Sequence, residues 1–339
     1  MKKRFRYDFS YLVTLTALLF MGPTATLAAS TLVKVSLITP EGSTWTNALY
    51  RMAREVRIKT DGEVEFEIYA GGISGDELDV LRKMRINQIH AAGFSGVGLG
   101  VIEPKVRILE APLLFRDTRE IDLVREALFD EFAADFAKKG YVLLGFAEAG
   151  FVYFFSKVDM VGPQGFKPVK MWVWKGDPVA KTSLEVLGIK AYPLHLADVN
   201  TGLETGMINS FYSPPLAAIA FQWYSKIRYM LDYPMVNSTG ALLIKKDIFE
   251  ALSEKNQTIL RAVARKFCDE LIRLARKENS EALRVLRGAG IAFERPTPAQ
   301  ILLLKENASS IYQMHIGELY SKDFFQKVQR ILNAHRKSS

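Results

Sequence analysis

Between Ser253 and Gly288 the apolar residues Ile259, Leu260, Val263, Phe267, Leu271 and Leu274 recur at helical spacing, and nothing breaks the run until Gly288 and Gly290. Ser253 is a suitable N-cap. At 1.5 Å per residue such a helix spans roughly 50 Å, which is wider than one lobe of ~150 residues. The element must therefore bridge or buttress two bodies. The rest of the chain agrees: 339 residues, 49% of them hydrophobic, suffice for two cores, and a single cysteine means that neither is held by an internal disulfide. A disordered chain, a collagen and a disulfide-stapled mini-protein are all excluded by this composition.

The first residues have to be set aside before any fold argument. Lys2, Lys3, Arg4 and Arg6 form a basic n-region, and Tyr11 to Met21 form an apolar stretch too short to span a bilayer. Thr26 and Ala28 then supply small residues at −3 and −1, so residues 1–28 are expected to be a signal peptide cleaved near Ala28. The alternative is an uncleaved anchor, disfavoured because no second apolar run of about 18 residues follows. The expected compartment is the periplasm. Cys268 lies on an apolar helical stripe and reads as a buried, inert thiol.

The formal charge of +8 falls to +5 once the leader is removed. Basic residues are densest from Arg261 to Arg287, but Asp269, Glu270, Glu278 and Glu281 are interleaved with them. That pattern is a solvated, salt-bridged helix face, and no nucleic-acid partner is expected.

After the leader the chain reads βαβ: a strand at Lys34 to Ile38, a helix capped by Ser43 or Thr44 with Leu49, Met52, Ala53 and Val56 on one face, and a strictly alternating strand from Glu63 to Tyr69. A helix from Glu77 to Met84, a strand from Ala91 to Phe94, one helix from Arg119 to Lys138 and a strand from Tyr141 to Phe146 continue the rhythm, which predicts a parallel α/β lobe. A second set starts with strands at Val152 to Phe155 and Val169 to Trp174, a helix at Pro178 to Leu187 and strands at Ala191 to Leu194 and Ile208 to Tyr212. Tyr229 to Tyr233 and Ser238 to Ile244 read as edge strands crossing back to the first lobe. Pro298 opens a last helical segment, with a frayed tail expected from His335.

A search for catalytic chemistry returns little. The four histidines, His90, His195, His315 and His335, have no HExxH spacing, and one cysteine cannot build a thiolate site, so neither metal nor cofactor is expected. His195, between a strand and a helix, is the one placed to approach a cleft, a structural role being the commoner use of such a residue. Gly93 to Gly100 is glycine-rich but lacks both the G-x-G-x-x-G spacing and a following Lys-Ser/Thr. No G-x-S-x-G elbow is present. What stands out is aromatic residues at strand ends, where ligands sit in open α/β sheets. The candidate ligand-binding set is Trp45, Phe94, Ser95, Phe151, Tyr153, Met171, Trp174, Tyr212, Ser213 and Asn237, with Trp172 and Trp223 also conspicuous.

Several segments together resemble the solute-binding proteins of TRAP transporters, the DctP type. They are Lys59-Thr60-Asp61-Gly62, Glu110-Ala111-Pro112-Leu113-Leu114-Phe115, Gly165-Phe166-Lys167-Pro168-Val169-Lys170, Leu203-Glu204-Thr205-Gly206-Met207-Ile208-Asn209, and Leu252-Ser253-Glu254-Lys255-Asn256-Gln257 at the start of the long helix. The resemblance covers nearly the whole mature chain. It implies a two-lobed periplasmic solute-binding fold with hinge strands and a long C-terminal bridging helix. The expected divisions are lobe I at 29–149 plus about 237–270, lobe II at 150–236 plus about 271–304, and a C-terminal helical segment at 305–339. It also implies one small-molecule ligand, small and large integral-membrane permease subunits as partners, and room for a periplasmic helical-repeat partner, in a monomer or a dimer. No reaction on the ligand is expected. An exported α/β enzyme and a ligand or lipid shuttle without a permease are the alternatives.

The departures from that family are as informative. The resemblance implies an arginine at the position of Met171, clamping a ligand carboxylate, another near Val152, and an acidic or amide pair near Tyr212 and Ser213; this chain has none of them. Lys170, Lys175 or a cation elsewhere could substitute. Otherwise the cleft should accept an apolar or amphipathic molecule.

Overall fold

The computed structural model describes residues 30–338, so the leader and its cleavage site near Ala28 lie outside the described residues. The first part of the chain comprises β1 (Thr31–Ser36), α1 (Thr44–Lys59), β2 (Val64–Tyr69), α2 (Glu77–Arg85), β3 (Ala91–Ser95) and α3 (Gly96–Ile102). A 3₁₀ turn at Pro104–Glu110 leads to α4 (Thr118–Ala127), α5 (Phe129–Lys138) and β4 (Tyr141–Ser156). The second part holds β5 (Lys170–Trp174), α6 (Pro178–Val186), β6 (Lys190–Leu194), α7 (Val199–Thr205), β7 (Ser210–Ser213), α8 (Pro215–Ala220), β8 (Tyr229–Leu231) and β9 (Val236–Lys245). Then follow α9 (Lys246–Glu250), α10 (Glu254–Gly288), β10 (Ala292–Glu294), α11 (Pro298–His315) and α12 (Lys322–Ser338).

The strands run in the order β2-β1-β3-β9-β4-β7-β5-β6, with β8 paired to β4 and β10 to β8. Pairing is parallel at the outer ends, β1 with β2 and β3, and β5 with β6 and β7, but antiparallel in the middle where β3, β9, β4 and β7 meet. The expectation of parallel lobes therefore holds only away from the centre. The two strands expected at Tyr141 to Phe146 and Val152 to Phe155 are one 16-residue strand, β4, running from one lobe into the other beside β9. Register shifts between Leu143 and Gly145 and between Glu148 and Gly150 bend it. At the second, Gly150 adopts a φ of +111°, and a Cβ there would stand 2.5 Å from Asn279 Nδ2, so no other residue fits without strain.

Each lobe's part of the sheet carries a core on both faces. In the first lobe Phe94, Leu109, Phe132 and Phe146 pack on one face, while Val33, Val35, Met52 and Leu260 pack on the other. In the second, Phe155, Trp172, Phe211 and Trp223 lie on one face and Phe154, Met171, Val173 and Leu184 on the other. Helix α10, capped by Ser253, buries Leu260, Val263 and Phe267 in the first lobe and Leu286 in the second, so it does span both. Arg276 on this helix donates to Glu148 Oε1 and Oε2 at 2.8 Å and to both Asp122 oxygens at 2.7 Å. Cys268 is buried in the same packing, and burial pushes its thiol up to about 12.

Two further expectations are corrected. The helix read from Arg119 to Lys138 breaks at Leu128, which ends α4 and precedes α5; no glycine or proline marks the break. The tail expected to fray from His335 is helical to Ser338. It is held because Phe324, Phe325, Val328 and Leu332 enter the first lobe's core, and Arg336 donates to Glu120 at 2.6 and 2.7 Å and to the Leu114 carbonyl at 2.8 Å.

Candidate ligand-binding cleft

The lobes enclose a cavity of about 460 Å³, within the range of small-molecule sites. From the first lobe, the first turn of α1 presents Trp45, whose side chain lies against Gly240 of β9; a Cβ there would stand 2.7 Å from Trp45 Cη2. Phe94 and Ser95 come from the end of β3. From the second lobe come Trp172 and Trp174 of β5, and Tyr212 and Ser213 of β7. These rings form a continuous block: Trp172 stacks on Tyr212 at 5.2 Å between centroids and meets Trp223 edge-on at 5.3 Å. Helix α11 closes the remaining side with Leu304, Asn307, Ala308 and Ile311, one stripe at helical spacing.

Six of the ten candidate residues thus line the cavity: Trp45, Phe94, Ser95, Trp174, Tyr212 and Ser213. The other four do not. Side chains alternate across a strand, and Phe151, Tyr153 and Met171 each alternate with lining residues of their own strand. Val152 and Phe154 of β4 face the cavity, so Phe151 and Tyr153 turn outward against the two cores. Met235, Val236, Ser238, Thr239 and Gly240 all line it around β9, yet Asn237 does not: it is buried, with neither side-chain polar atom hydrogen-bonded among the described residues. Met171 is fully buried in the second lobe's core among Phe154, Leu184 and Leu304 and does not itself reach the cavity, whereas its neighbours Trp172 and Trp174 do. The side chains of this strand in the cavity wall are two indoles.

The charged residues of the cavity wall were not among the candidates. Arg107, from the 3₁₀ turn at Pro104–Glu110, is 3% exposed. Its Nη2 donates to Asp177 Oδ1 at 2.7 Å and lies 3.1 Å from Glu110 Oε2. Its Nε and Nη1 have no hydrogen-bond partner among the described residues. Asp177 also accepts from the Ala180 amide, capping α6, and from the Tyr212 hydroxyl at 3.2 Å. Burial opposes the Arg107 charge, but the Asp177 and Glu110 carboxylates outweigh it and raise the guanidinium's pKa. Burial likewise pushes the Glu110 carboxyl up to about 7 against the pull of Arg107. Glu77, at the start of α2, accepts from the Ser95 amide, the Ser95 hydroxyl and the Gly98 amide at 2.7, 2.9 and 2.7 Å. Burial prevails over these donors and pushes it, too, up to about 7. Lys170 and Lys175, the lysines considered as substitutes, are exposed and outside the lining.

The rim joins the lobes directly. Asp76, the N-cap of α2, accepts from Trp174 Nε1 at 3.0 and 3.1 Å, and His195 Nδ1 stands 3.1 Å from its Oδ2. Together with Arg107 and Asp177 these contacts describe lobes closed on each other, and they put His195 at the rim of the cleft.

A two-lobed α/β binding protein with its ligand site between the lobes is the class that this fold and cleft define. The chain belongs to the bacterial extracellular solute-binding proteins of family 7, the DctP family, whose model matches residues 35–322. A solute-binding protein of Verminephrobacter eiseniae is 26% identical over 236 residues, 69% of this chain and 70% of the relative. The 2,3-diketo-L-gulonate-binding periplasmic protein of Escherichia coli is 21% identical over 284 residues, 82% of this chain and 86% of that one. Among solved structures, a TRAP periplasmic solute-binding protein of Haemophilus influenzae with bound L-gulonate superposes with a TM-score of 0.82 at 20% identity, covering 89% of this chain and 99% of that one. One from Ralstonia eutropha with bound (S)-2-acetolactate gives 0.83 at 19% identity, covering 90% and 99%. Among the described residues no helix is long and apolar enough to cross a membrane.

Proposed function

We propose that this protein captures a bulky apolar or amphipathic organic molecule between its lobes and delivers it to a TRAP-type permease of one small and one large integral subunit. It works in the periplasm after its leader is cleaved near Ala28, and it makes or breaks no bond in the ligand. The observation that carries the ligand class is the wall: Trp45, Phe94, Trp172, Trp174 and Tyr212 from both lobes, joined by the Leu304, Ala308 and Ile311 stripe. Such a surface recovers roughly 25 cal/mol for each Å² of apolar ligand area removed from water. L-Gulonate and acetolactate, the ligands of the two solved relatives, are small hydroxy acids; here the cavity's guanidinium is already engaged by two carboxylates.

The hinge falls where β4 and β9 pass side by side between the lobes, consistent with a division near residues 149 and 237. Closure shifts the population toward the state in which one ligand touches both lobes. The test is native mass spectrometry of protein purified gently from its own cells, followed by titration of stripped protein with the neutral fluorophore N-phenyl-1-naphthylamine. One lipophilic molecule per chain and saturable, one-to-one probe binding are expected. A co-purifying sugar acid, with no probe binding, would overturn the reading.

A further inference from the structure

We propose that Asp177 is the specificity-determining residue of the cleft: it is a resident carboxylate that occupies the Arg107 guanidinium and so excludes ligands bearing a carboxylate of their own. This rests on the reading of the cavity as the ligand site.

Arg107 and Asp177 belong to different lobes and are 70 residues apart in sequence, yet Nη2 and Oδ1 meet at 2.7 Å in the wall of the cavity. The guanidinium is 3% exposed and the Asp177 side chain 6%, so little water screens the pair. Glu110 adds a second carboxylate at 3.1 Å from the same nitrogen. A third acidic side chain, Glu77, lines the cavity, and Arg107 is the one cation among the described lining residues. An incoming carboxylate therefore meets no surplus positive charge. It would either displace Asp177 or crowd in as a third carboxylate on one buried guanidinium, and both are costly.

Asp177 is held for this role by contacts other than the arginine. The Ala180 amide donates to its Oδ1 at 3.2 Å and the Tyr212 hydroxyl to its Oδ2 at 3.2 Å, while Pro178 begins α6 directly after it. The carboxylate is thus fixed in place before any ligand arrives. The guanidinium keeps two N–H-bearing nitrogens, Nε and Nη1, without hydrogen-bond partners among the described residues. Removing the Asp177 carboxylate would leave the guanidinium with Glu110 alone among the described residues and with unused donors beside the aromatic wall, an arrangement with room for one carboxylate of an amphipathic acid.

The experiment uses the full mature chain and two matched probes, 6-phenylhexanol and 6-phenylhexanoate, measured by calorimetry at pH 7.5. Wild type should bind the alcohol and bind the acid far more weakly. In Asp177→Ala the ratio of acid to alcohol affinity should rise by about tenfold to a hundredfold, the value of one charge-assisted hydrogen-bonded contact. Asp177→Asn, which keeps a cap for α6 and guards against a folding defect in the alanine variant, should raise the ratio by a smaller factor. The double variant Arg107→Met/Asp177→Ala should lose the gain. An unchanged ratio in both single variants, or wild type binding the acid as tightly as the alcohol, would overturn the proposal while leaving the cavity reading intact. Failure of both probes to bind wild type would overturn the cavity reading and this proposal together.

Discussion

Replacing Glu77 with glutamine should flatten part of the protein's pH-stability profile, by an amount that follows from the site. The Glu77 carboxyl is buried, receives three hydrogen bonds from Ser95 and Gly98, and sits at about 7 against an ordinary value of 4.5. Between those values the folded protein holds a proton that the unfolded chain has released, so stability falls as pH rises and levels off above the folded value. The full effect is about 3 kcal/mol, of which about 2.5 kcal/mol falls between pH 5 and pH 8. Glutamine offers one acceptor oxygen where the carboxylate offers two, so the variant loses a bond to Ser95 or Gly98, at a cost of about 1 to 3 kcal/mol that does not vary with pH. Urea unfolding of both proteins from pH 5 to pH 8, followed by circular dichroism, gives the difference. His315, whose pKa burial lowers, is common to both proteins and cancels. The wild-type advantage should shrink by about 2.5 kcal/mol across the range. A difference independent of pH would refute the assignment of Glu77 as a buried, protonated acid.

Other outcomes follow from the same geometry. Trp45→Ala should weaken N-phenyl-1-naphthylamine binding by about ten- to a hundredfold, since it strips an indole from the cavity wall; equal affinities would remove Trp45 from the site. Met171→Leu, a volume-conserving swap at a buried residue that does not line the cavity, should cost under about 1.5 kcal/mol and leave probe affinity within about twofold, whereas Trp172→Ala should weaken it; the reverse pattern would show that the strand faces the other way. Arg276→Met should destabilise by about 3 kcal/mol in urea melts, because Glu148, fully buried, keeps only Arg125 at 3.4 Å. Cys268 should react with a thiol reagent only as fast as the protein unfolds, and prompt labelling of the native protein would contradict its burial.

The elements visible in the sequence were those whose pattern is local and long. Ser253 to Gly288 announces itself by helical spacing and caps, and Glu63 to Tyr69 by strict alternation. Strand β5 shows the limit: Met171 enters one core while Trp172 and Trp174 face the cleft, and a strand buried on both sides reads as an unbroken apolar run in which parity is hidden. The sequence reads two strands, Tyr141 to Phe146 and Val152 to Phe155, where the structure runs one continuous strand through bulges at Gly145 and Gly150. Arg107 and Asp177 could not be paired from sequence, since only the meeting of the lobes brings them together. The helix opened by Pro298 was legible, but nothing local says that its Leu304, Ala308 and Ile311 close a cavity.

The central claim is tested most directly by a crystal structure of the protein as isolated from its own cells, with no ligand added. The account predicts density for one largely apolar molecule within about 4 Å of Trp45, Trp174, Tyr212 and Leu304, with Arg107 still paired to Asp177. Density for a polyhydroxylated acid whose carboxylate sits on Arg107, with Asp177 turned away, would contradict it.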